Sequence, residues 1–145
     1  TRSWVNAAQV LGFELRLCSP QNYALDESFL AVARSHGAHL TCFTDPVSAA
    51  TGAHVITTDV WASMGDEAEL DERVAAFKSF IVDEAVMRKA ASDSIFLHCL
   101  PVHRGEEASA VVVDGPHSRV WQEAANRLHV QKAILEWTLG ELNLD

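Results

Sequence analysis

Residues 13–43 read FELRLCSPQNYALDESFLAVARSHGAHLTCF, and this stretch predicts a strand, a helix and a second strand in succession. Phe13 to Cys18 forms the first predicted strand. Asp26 is a residue type that caps helix N-termini, and the apolar residues after it recur at helical spacing. Gly37 ends this predicted helix before the second strand, Ala38 to Phe43. A strand, a helix and a strand in this order are the unit from which parallel sheets are built.

The same alternation extends on both sides of this stretch. On the N-terminal side, apolar residues from Trp4 to Leu11 recur at helical spacing, and Gly12 ends the predicted helix. On the C-terminal side, Asp45 caps a short predicted helix, Pro46 to Thr51. The next predicted strand runs from His54 to Thr58.

The second half of the chain contains one more predicted strand and two longer helical patterns. Apolar residues recur at helical spacing from Leu70 to Val86, which predicts a helix. Ser94 to Cys99 is apolar, β-branched and aromatic, and predicts a buried strand. After a long loop over residues 101–119, Val120 to Leu139 predicts an amphipathic helix. The apolar positions of this last helix include Trp121, Leu128, Ile134, Leu135 and Trp137.

The predicted strands alternate with helices along the whole chain. Short connections of this kind favour parallel strands with right-handed crossovers. We therefore expect an α/β fold, a doubly wound open parallel sheet with helices on both faces. With 145 residues and 48% apolar content, the chain is long enough to bury one independent core, so we expect one domain.

The composition indicates which binding partners and which cellular compartment to expect. The chain has 11 Lys and Arg against 20 Asp and Glu, a net charge of −9, and no basic cluster, so neither nucleic acid nor a membrane is an expected partner. Charged residues interrupt every apolar stretch well before the ~20 residues that cross a bilayer. The 3 cysteines lack C-x-x-C spacing, which suits a reducing compartment, and we expect a soluble cytoplasmic protein. Because residue 1 is Thr, we also expect the chain to come from a longer protein.

Ligands of open α/β sheets bind outside the carboxyl ends of the strands, so the residues there are candidates for chemistry. After the third predicted strand, residues 59–65 read DVWASMG and bring a carboxylate, a hydroxyl and a glycine close together. Asp59 and Ser63 in this arrangement suit the binding of an ammonium group. The residues alone leave a simpler interpretation open, in which Asp59 caps a helix and Ser63 lies in a turn.

After the fourth predicted strand, His98-Cys99-Leu100-Pro101 places an imidazole and a thiol at the mouth of the sheet. Three interpretations are open: a Cys–His nucleophile, a zinc site completed by His103, or no chemical role. Adjacent strand residues point to opposite faces, which argues against a hydrogen-bonded nucleophile pair. The zinc site lacks the usual paired ligand spacing and an obvious fourth ligand.

Arg127 lies inside the final predicted helix. Most helical arginines are solvated surface charges. The forked donors of this side chain would suit a phosphate or a polarised carbonyl oxygen if the helix directs it into the cleft.

Three of these segments together resemble one family. Residues 59–65 look like the Asp-x-x-x-Ser-Met-Gly loop of ornithine carbamoyltransferases, and residues 96–101, FLHCLP, look like their His-Cys-Leu-Pro motif. Residues 123–132 resemble their closing helix with its Asn-Arg pair. The likeness extends over residues 1–140, and the Ser-Met-Gly sequence is the part that singles out ornithine. Residues 80–82 depart from the family, reading FIV where it usually has Tyr-Gln-Val.

The resemblance implies transfer of a carbamoyl group from carbamoyl phosphate to the side-chain amine of L-ornithine, which gives L-citrulline and phosphate. It implies that Asp59, Ser63 and the Met64 backbone hold ornithine. Cys99 would then orient the side-chain amine with help from the Leu100 carbonyl.

On the carbamoyl phosphate side, the resemblance implies contacts from Cys99, Leu100, Arg127 and His98. It assigns the catalytic roles to Cys99, Asp59 and Arg127. It implies neither a metal nor an organic cofactor, and family members are usually homotrimers that act in arginine biosynthesis.

The resemblance also implies that residues 1–145 are the ornithine-binding domain of a two-domain transferase. The family's Ser-x-Arg-Thr phosphate loop belongs to the other, carbamoyl-phosphate domain, and this sequence lacks it. The chain alone is therefore expected to be inactive, with the helix of residues 120–139 packing back on that missing domain. The alternatives are a carbamoyltransferase for putrescine or an N-acylornithine, against which Ser63-Met64-Gly65 argues, and a non-catalytic isolated domain.

Overall fold

The computed structural model describes residues 1–61 and 70–141. The strands are β1 (Glu14–Cys18), β2 (His39–Phe43), β3 (Val55–Thr58) and β4 (Ile95–His98). The helices are α1 (Arg2–Leu11), α2 (Glu27–Ser35), α3 (Pro46–Ala50), α4 (Leu70–Phe77), α5 (Glu84–Met87), α6 (Ala110–Val113) and α7 (Val120–Thr138). Short 3-10 turns lie at Gln21–Tyr23 and Lys78–Phe80. Across the described ranges, none of the helices has both the length and the apolar content that crossing a membrane requires.

The parallel strands β1 and β2 are covered by helices on both faces. Leu17 points to one face, where it joins a core formed by Val5 of α1 and Ala33 of α2. Arg16 points to the opposite face, and its Nη1 atom donates a hydrogen bond to the Thr51 carbonyl, 2.6 Å away at the end of α3. The prediction of an α/β fold with parallel strands between helices is therefore confirmed.

The strands β3 and β4 form a second parallel pair, in register from Val55 opposite Ile95 to Thr58 opposite His98. Among the described residues, the strand hydrogen bonds divide the sheet into these two pairs, and α3 contacts β1, β2 and α5. The main core around the second pair consists of Ala50, Val82, Val86, Phe96, Ala108, Val112, Val113 and Val120. Since this core includes the end of α3, that helix joins the two pairs.

Several helix ends lie where the sequence predicted them. The Asp26 side chain accepts a hydrogen bond from the Ser28 amide over 2.7 Å at the start of α2. Asp45 accepts one from the Ser48 amide over 2.8 Å at the start of α3. Gly12 follows α1 with a φ of 74°, a left-handed conformation that glycine adopts without a steric penalty.

The prediction of a single helix from Leu70 to Val86 is wrong. α4 ends at Phe77, and a 3-10 turn follows it. Val82 then forms a parallel bridge with Ala108, and α5 begins after the Asp83 cap. Apolar residues recur on both sides of the break, with Val74 and Phe77 before it and Val82 and Val86 after it, so periodicity alone did not reveal the change in backbone direction.

The last helix does not bury the apolar face that the sequence predicted. Of the described residues of α7, Val120 is the one that is buried. Leu128 is 70% exposed and Trp137 is 56% exposed. The helix therefore carries a large apolar surface that this chain leaves open to solvent.

Candidate functional site

The carboxyl ends of β3 and β4 lie side by side because the two strands are parallel and in register. Thr58 and His98 are partner residues, so the residues that follow them, Asp59 and Cys99, reach the same edge. The Cys99 Sγ atom lies 3.3 Å from Asp59 Oδ1. The Val60 amide also donates to Asp59 Oδ1, over 2.9 Å, which orients the exposed carboxylate. The fold thus joins two loops that are distant in the sequence.

Cys99 is a hydrogen-bond donor in this arrangement. Burial, the hydrogen bond to Asp59 and the negative charges of Asp59 and Glu123 all raise the pKa of the Cys99 thiol above its ordinary value. A protonated thiol can donate to the carboxylate, whereas a thiolate would be repelled by it. The Cys–His nucleophile interpretation does not fit this geometry, since the partner of the thiol is Asp59 and the His98 side chain is buried behind the strand.

We expect Asp59→Asn to make Cys99 more reactive toward alkylation. The substitution removes the negative charge beside the thiol, so the pKa of Cys99 should fall and more thiolate should form at a given pH. Iodoacetamide labelling across a pH series, followed by peptide mass mapping, measures this. The Cys99 profile should move to lower pH, and the exposed Cys42 on β2 should keep its own profile. An unmoved Cys99 profile would contradict the contact.

A cleft of about 560 Å³ opens beside Cys99. Cys99, Leu100 and Pro101 line one wall, and Trp121 and Arg127 of α7 line the other. The cleft therefore lies between the end of β4 and the first half of α7, with a thiol on one side and a guanidinium on the other.

Backbone hydrogen bonds fix the start of α7 against β4. The Phe96 amide donates to the His117 carbonyl over 2.9 Å, and the Arg119 amide donates to the Phe96 carbonyl over 2.9 Å. α7 begins at the next residue. Because the start of the helix is fixed in this way, Arg127 lies two turns along it and beside the cleft.

The structure buries His98, which the resemblance assigned to carbamoyl phosphate, outside the residues that line the cleft. Its side chain is 0% exposed, because alternation along β4 turns Phe96 and His98 inward and leaves Cys99 exposed. The His98 Nδ1 atom accepts a hydrogen bond from the Leu100 amide over 2.9 Å. Its Nε2 atom lies 3.4 Å from Glu107 Oε1. His98 thus contacts the turn from behind.

Among the described residues, one group of side chains could approach a metal ion: His103, Glu106 and Glu107, whose ligand atoms lie within 4.8 Å of one another. This group shares His103 with the zinc interpretation but contains neither His98 nor Cys99. Glu107 Oε1 already accepts a hydrogen bond from the His103 amide over 2.6 Å. This carboxylate is therefore part of the internal hydrogen bonding of its loop.

Comparison with known proteins identifies the family. The model described as "Aspartate/ornithine carbamoyltransferase, Asp/Orn binding domain" matches residues 1–138. The chain belongs to the aspartate/ornithine carbamoyltransferase family.

Individual members of this carbamoyltransferase family agree in sequence and in structure. The ornithine carbamoyltransferase of Burkholderia lata is 53% identical over 137 residues, which are 94% of this chain and 44% of that protein. The crystal structure of the ornithine carbamoyltransferase from Burkholderia thailandensis E264 matches with a TM-score of 0.81 and 46% sequence identity. The match covers 96% of this chain and 43% of the Burkholderia thailandensis chain. The crystal structure of the anabolic ornithine carbamoyltransferase from Campylobacter jejuni matches with a TM-score of 0.88 and 35% sequence identity. That match covers 97% of this chain and 48% of the Campylobacter jejuni chain. The chain thus spans less than half the length of these relatives.

Within this carbamoyltransferase domain, the predicted site residues fall into three groups. Asp59 and Cys99 are in contact, and Leu100 and Arg127 line the same cleft as Cys99. His98 is buried, as described above. The other two predicted residues, Ser63 and Met64, lie outside the described residues.

The sequence interpretation missed an aromatic cluster that includes Trp61, two residues after Asp59. Trp61 is buried and stacks on Phe77 of α4 with ring centroids 6.3 Å apart. Phe77 also contacts Tyr23, at 4.9 Å between centroids. Tyr23 follows β1 and Trp61 follows β3, so the cluster ties together two strand-end loops of the carbamoyltransferase domain. An aromatic residue in each loop was the visible signal, but a single sequence does not indicate that the two rings meet.

Proposed function

We propose that this chain is the ornithine-binding half of an ornithine carbamoyltransferase, which transfers the carbamoyl group of carbamoyl phosphate to the side-chain amine of L-ornithine. The observation that carries the proposal is the 3.3 Å contact between Cys99 Sγ and Asp59 Oδ1 at the edge of a cleft that Arg127 lines. This site offers an acceptor for an amine and a forked cationic donor for an anion. The two substrates of carbamoyl transfer have these two properties.

On the ornithine side, Asp59 and Ser63, with the Met64 backbone, hold the amino acid. Asp59 is exposed and is oriented by the Val60 amide, so it can accept a hydrogen bond from a substrate ammonium without rearranging. Cys99 and the Leu100 carbonyl orient the side-chain amine. The Cys99 sulfur and the Leu100 carbonyl oxygen accept hydrogen bonds from the N–H bonds of that amine, which directs its lone pair away from them and toward the electrophile.

On the carbamoyl phosphate side, Arg127 is the principal donor, with Cys99 and Leu100 beside it on the opposite wall of the cleft. A guanidinium presents parallel N–H donors that match phosphate and carbonyl oxygens better than an ammonium does. His98 supports this wall indirectly, through its hydrogen bond with the Leu100 amide.

The reaction requires a neutral amine. The side-chain ammonium of free ornithine has a pKa close to that of lysine, about 10.4, so it must lose a proton before it attacks. The nitrogen lone pair then forms a bond with the carbonyl carbon and gives a tetrahedral oxyanion. The carbon–oxygen bond to phosphate breaks, phosphate leaves with that electron pair, and the nitrogen releases its extra proton. Alignment of the two substrates and donors fixed near the oxyanion lower the barrier, and Cys99 forms no covalent bond.

The exposed surface of α7 supports the presence of a second domain in the full-length protein. Leu128 and Trp137 belong to an apolar surface of a kind that folded proteins usually cover. In this proposal the carbamoyl-phosphate domain packs against α7 and supplies the rest of the phosphate site. The homotrimer and the role in arginine biosynthesis rest on family membership, and the free cysteines agree with a cytoplasmic location.

The test is an assay of the full-length protein with carbamoyl phosphate and one of three amines: L-ornithine, putrescine or N-acetyl-L-ornithine. We expect kcat/KM for ornithine to exceed the other two values by about 10²-fold or more, because a site built for a polar group rejects analogues that lack it. A preference for putrescine or N-acetylornithine would replace the proposal with that activity. Failure to carbamoylate any of the three amines would contradict it.

A further inference from the structure

Glu107 is a buried carboxylate that the proposed reaction does not use. Its side chain is 0% exposed, and a buried charge is costly unless it is paired. Its Oε1 atom accepts a hydrogen bond from the His103 amide over 2.6 Å and lies 3.4 Å from His98 Nε2. Burial raises the pKa of Glu107, but the contacts with His98 and His103 outweigh burial and leave the pKa below its ordinary value. The group is therefore an anion at neutral pH.

The backbone on either side of Glu107 is anchored to the main core. The Val82 amide donates to the Glu107 carbonyl over 3.0 Å, and the Ser109 amide donates to the Val82 carbonyl over 3.0 Å. Val82 and Ala108 are themselves buried in that core. The carboxylate thus projects from a rigid support toward the turn of residues 98–101.

The protonation of the His98 ring follows from its two neighbours. Nδ1 accepts a hydrogen bond from the Leu100 amide, so the proton of a neutral ring is on Nε2. The Nε2 atom lies 3.4 Å from Glu107 Oε1 without forming a regular hydrogen bond, and an anion this close favours a proton on Nε2 over one on Nδ1. Glu107 thereby keeps Nδ1 available as the acceptor for Leu100.

Leu100 needs such support because its φ is 56°, a left-handed conformation that residues with a Cβ atom rarely adopt. Strained backbone of this kind persists only where surrounding contacts hold it. Here the Leu100 side chain packs against the main core and its amide is bound by His98. The same turn leads from Cys99, beside Asp59, into the wall of the cleft.

We propose that Glu107 is a positioning residue for carbamoyl transfer, which acts through His98 and the His103 amide to hold the turn of residues 98–101. In that position Cys99 and Leu100 face the substrates. The expected effect of Glu107 on carbamoyl transfer rests on the proposed function. Its expected effect on the turn of residues 98–101 rests only on its contacts with His98 and the His103 amide.

The kinetic test compares Glu107→Gln with Glu106→Gln in the full-length protein. The glutamine of the first variant would keep the size of the side chain and an acceptor for the His103 amide, but it removes the charge opposite His98. We expect Glu107→Gln to raise the KM for ornithine and to lower kcat/KM about 10- to 100-fold, the loss expected from a small misplacement of substrate-binding groups. The more exposed Glu106→Gln control should stay near the wild-type values. A smaller folded fraction alone would lower the apparent kcat and leave KM unchanged.

Alkylation of Cys99 tests the turn without any substrate. We expect Glu107→Gln to accelerate iodoacetamide labelling of Cys99 and to leave Cys42 unchanged, because general unfolding would accelerate both. If Glu107→Gln does not fold, His98→Asn is measured in the same way and with the same expectation. The asparagine amide oxygen can still accept from Leu100, but this shorter side chain does not reach Glu107.

Two results would overturn the positioning role. The first is a folded variant in which both the ornithine KM and the labelling of Cys99 are unchanged. The second is an equal acceleration of iodoacetamide labelling at Cys99 and at Cys42. If the wild-type protein carbamoylates none of the amines, the proposed function fails separately, and the labelling comparison still decides whether Glu107 holds the turn.

Discussion

Arg127→Ala in the full-length protein is expected to lower kcat/KM for carbamoyl phosphate by about 10²- to 10³-fold, the loss typical of removing one fixed donor to a developing oxyanion. Arg127 lines the cleft opposite Cys99 and Leu100, and its guanidinium can bind phosphate or carbonyl oxygens through parallel hydrogen bonds. The KM for ornithine should change much less, because the substitution leaves the contact between Asp59 and Cys99 intact. Initial rates at varied carbamoyl phosphate and saturating ornithine provide the measurement.

Two further variants on α7 separate the charge of Arg127 from the packing of the helix. Lys132→Ala is the matched control, because Lys132 lies on the same helix, is 71% exposed and pairs only with Glu136, at 3.6 Å, among the described residues. It should keep wild-type kinetics. Arg127→Lys should recover part of the activity, since an ammonium supplies charge but not two parallel donors. Equal losses in Arg127→Ala and Lys132→Ala would assign the effect to the helix and remove Arg127 from the site.

Asp59→Ala is expected to raise the KM for ornithine and to lower kcat, with a combined loss of about 10- to 100-fold in kcat/KM, the range of one hydrogen bond to a charged group. The carboxylate accepts a hydrogen bond from the Cys99 thiol at 3.3 Å. The substitution therefore removes the proposed substrate contact and also frees the thiol that is proposed to orient the amine. Both the ground state and the transition state should therefore lose stabilisation. Initial rates at varied ornithine separate KM from kcat.

Asp93→Ala is the matched control for this second experiment. Asp93 is also an exposed aspartate, but it lies in the turn before β4, at the opposite end of the strand from Cys99. It should leave both kinetic parameters near the wild-type values. An Asp59→Ala variant with an unchanged ornithine KM would exclude Asp59 from the ornithine site.

Local features of the fold were predictable because the sequence encodes them within a few residues. Asp26 and Asp45 cap helices through amides two and three residues away, so a single residue type marks each helix start. Alternation along a strand also places His98 and Cys99 on opposite sides, which by itself argues against a nucleophile pair. The approach of Asp59 to Cys99 followed from parallel pairing of the strands that precede them.

Features that depend on distant contacts were not predictable in this way. The break after Phe77 depends on a bridge between Val82 and Ala108, and periodicity does not report such a partner. The approach of Glu107 to His98 is a second case, because Glu107 looks in the sequence like one more charged residue in a polar loop. The exposure of α7 is a third case for spacing alone, because apolar spacing indicates that a surface should be covered but does not say whether the covering residues lie in the same segment of chain. The expectation that another domain covers this helix came from the family resemblance.

In the proposed mechanism, the residues after β3 and β4 meet Arg127 around one substrate cleft. A crystal structure of the full-length protein with an analogue that joins a phosphonoacetyl group to the side-chain nitrogen of L-ornithine would test this arrangement. We predict that this nitrogen lies beside Asp59 and Cys99, and that the acetyl carbonyl oxygen is within hydrogen-bond distance of Arg127. An analogue bound outside the cleft, or an Arg127 side chain directed into solvent with the analogue in place, would contradict this arrangement.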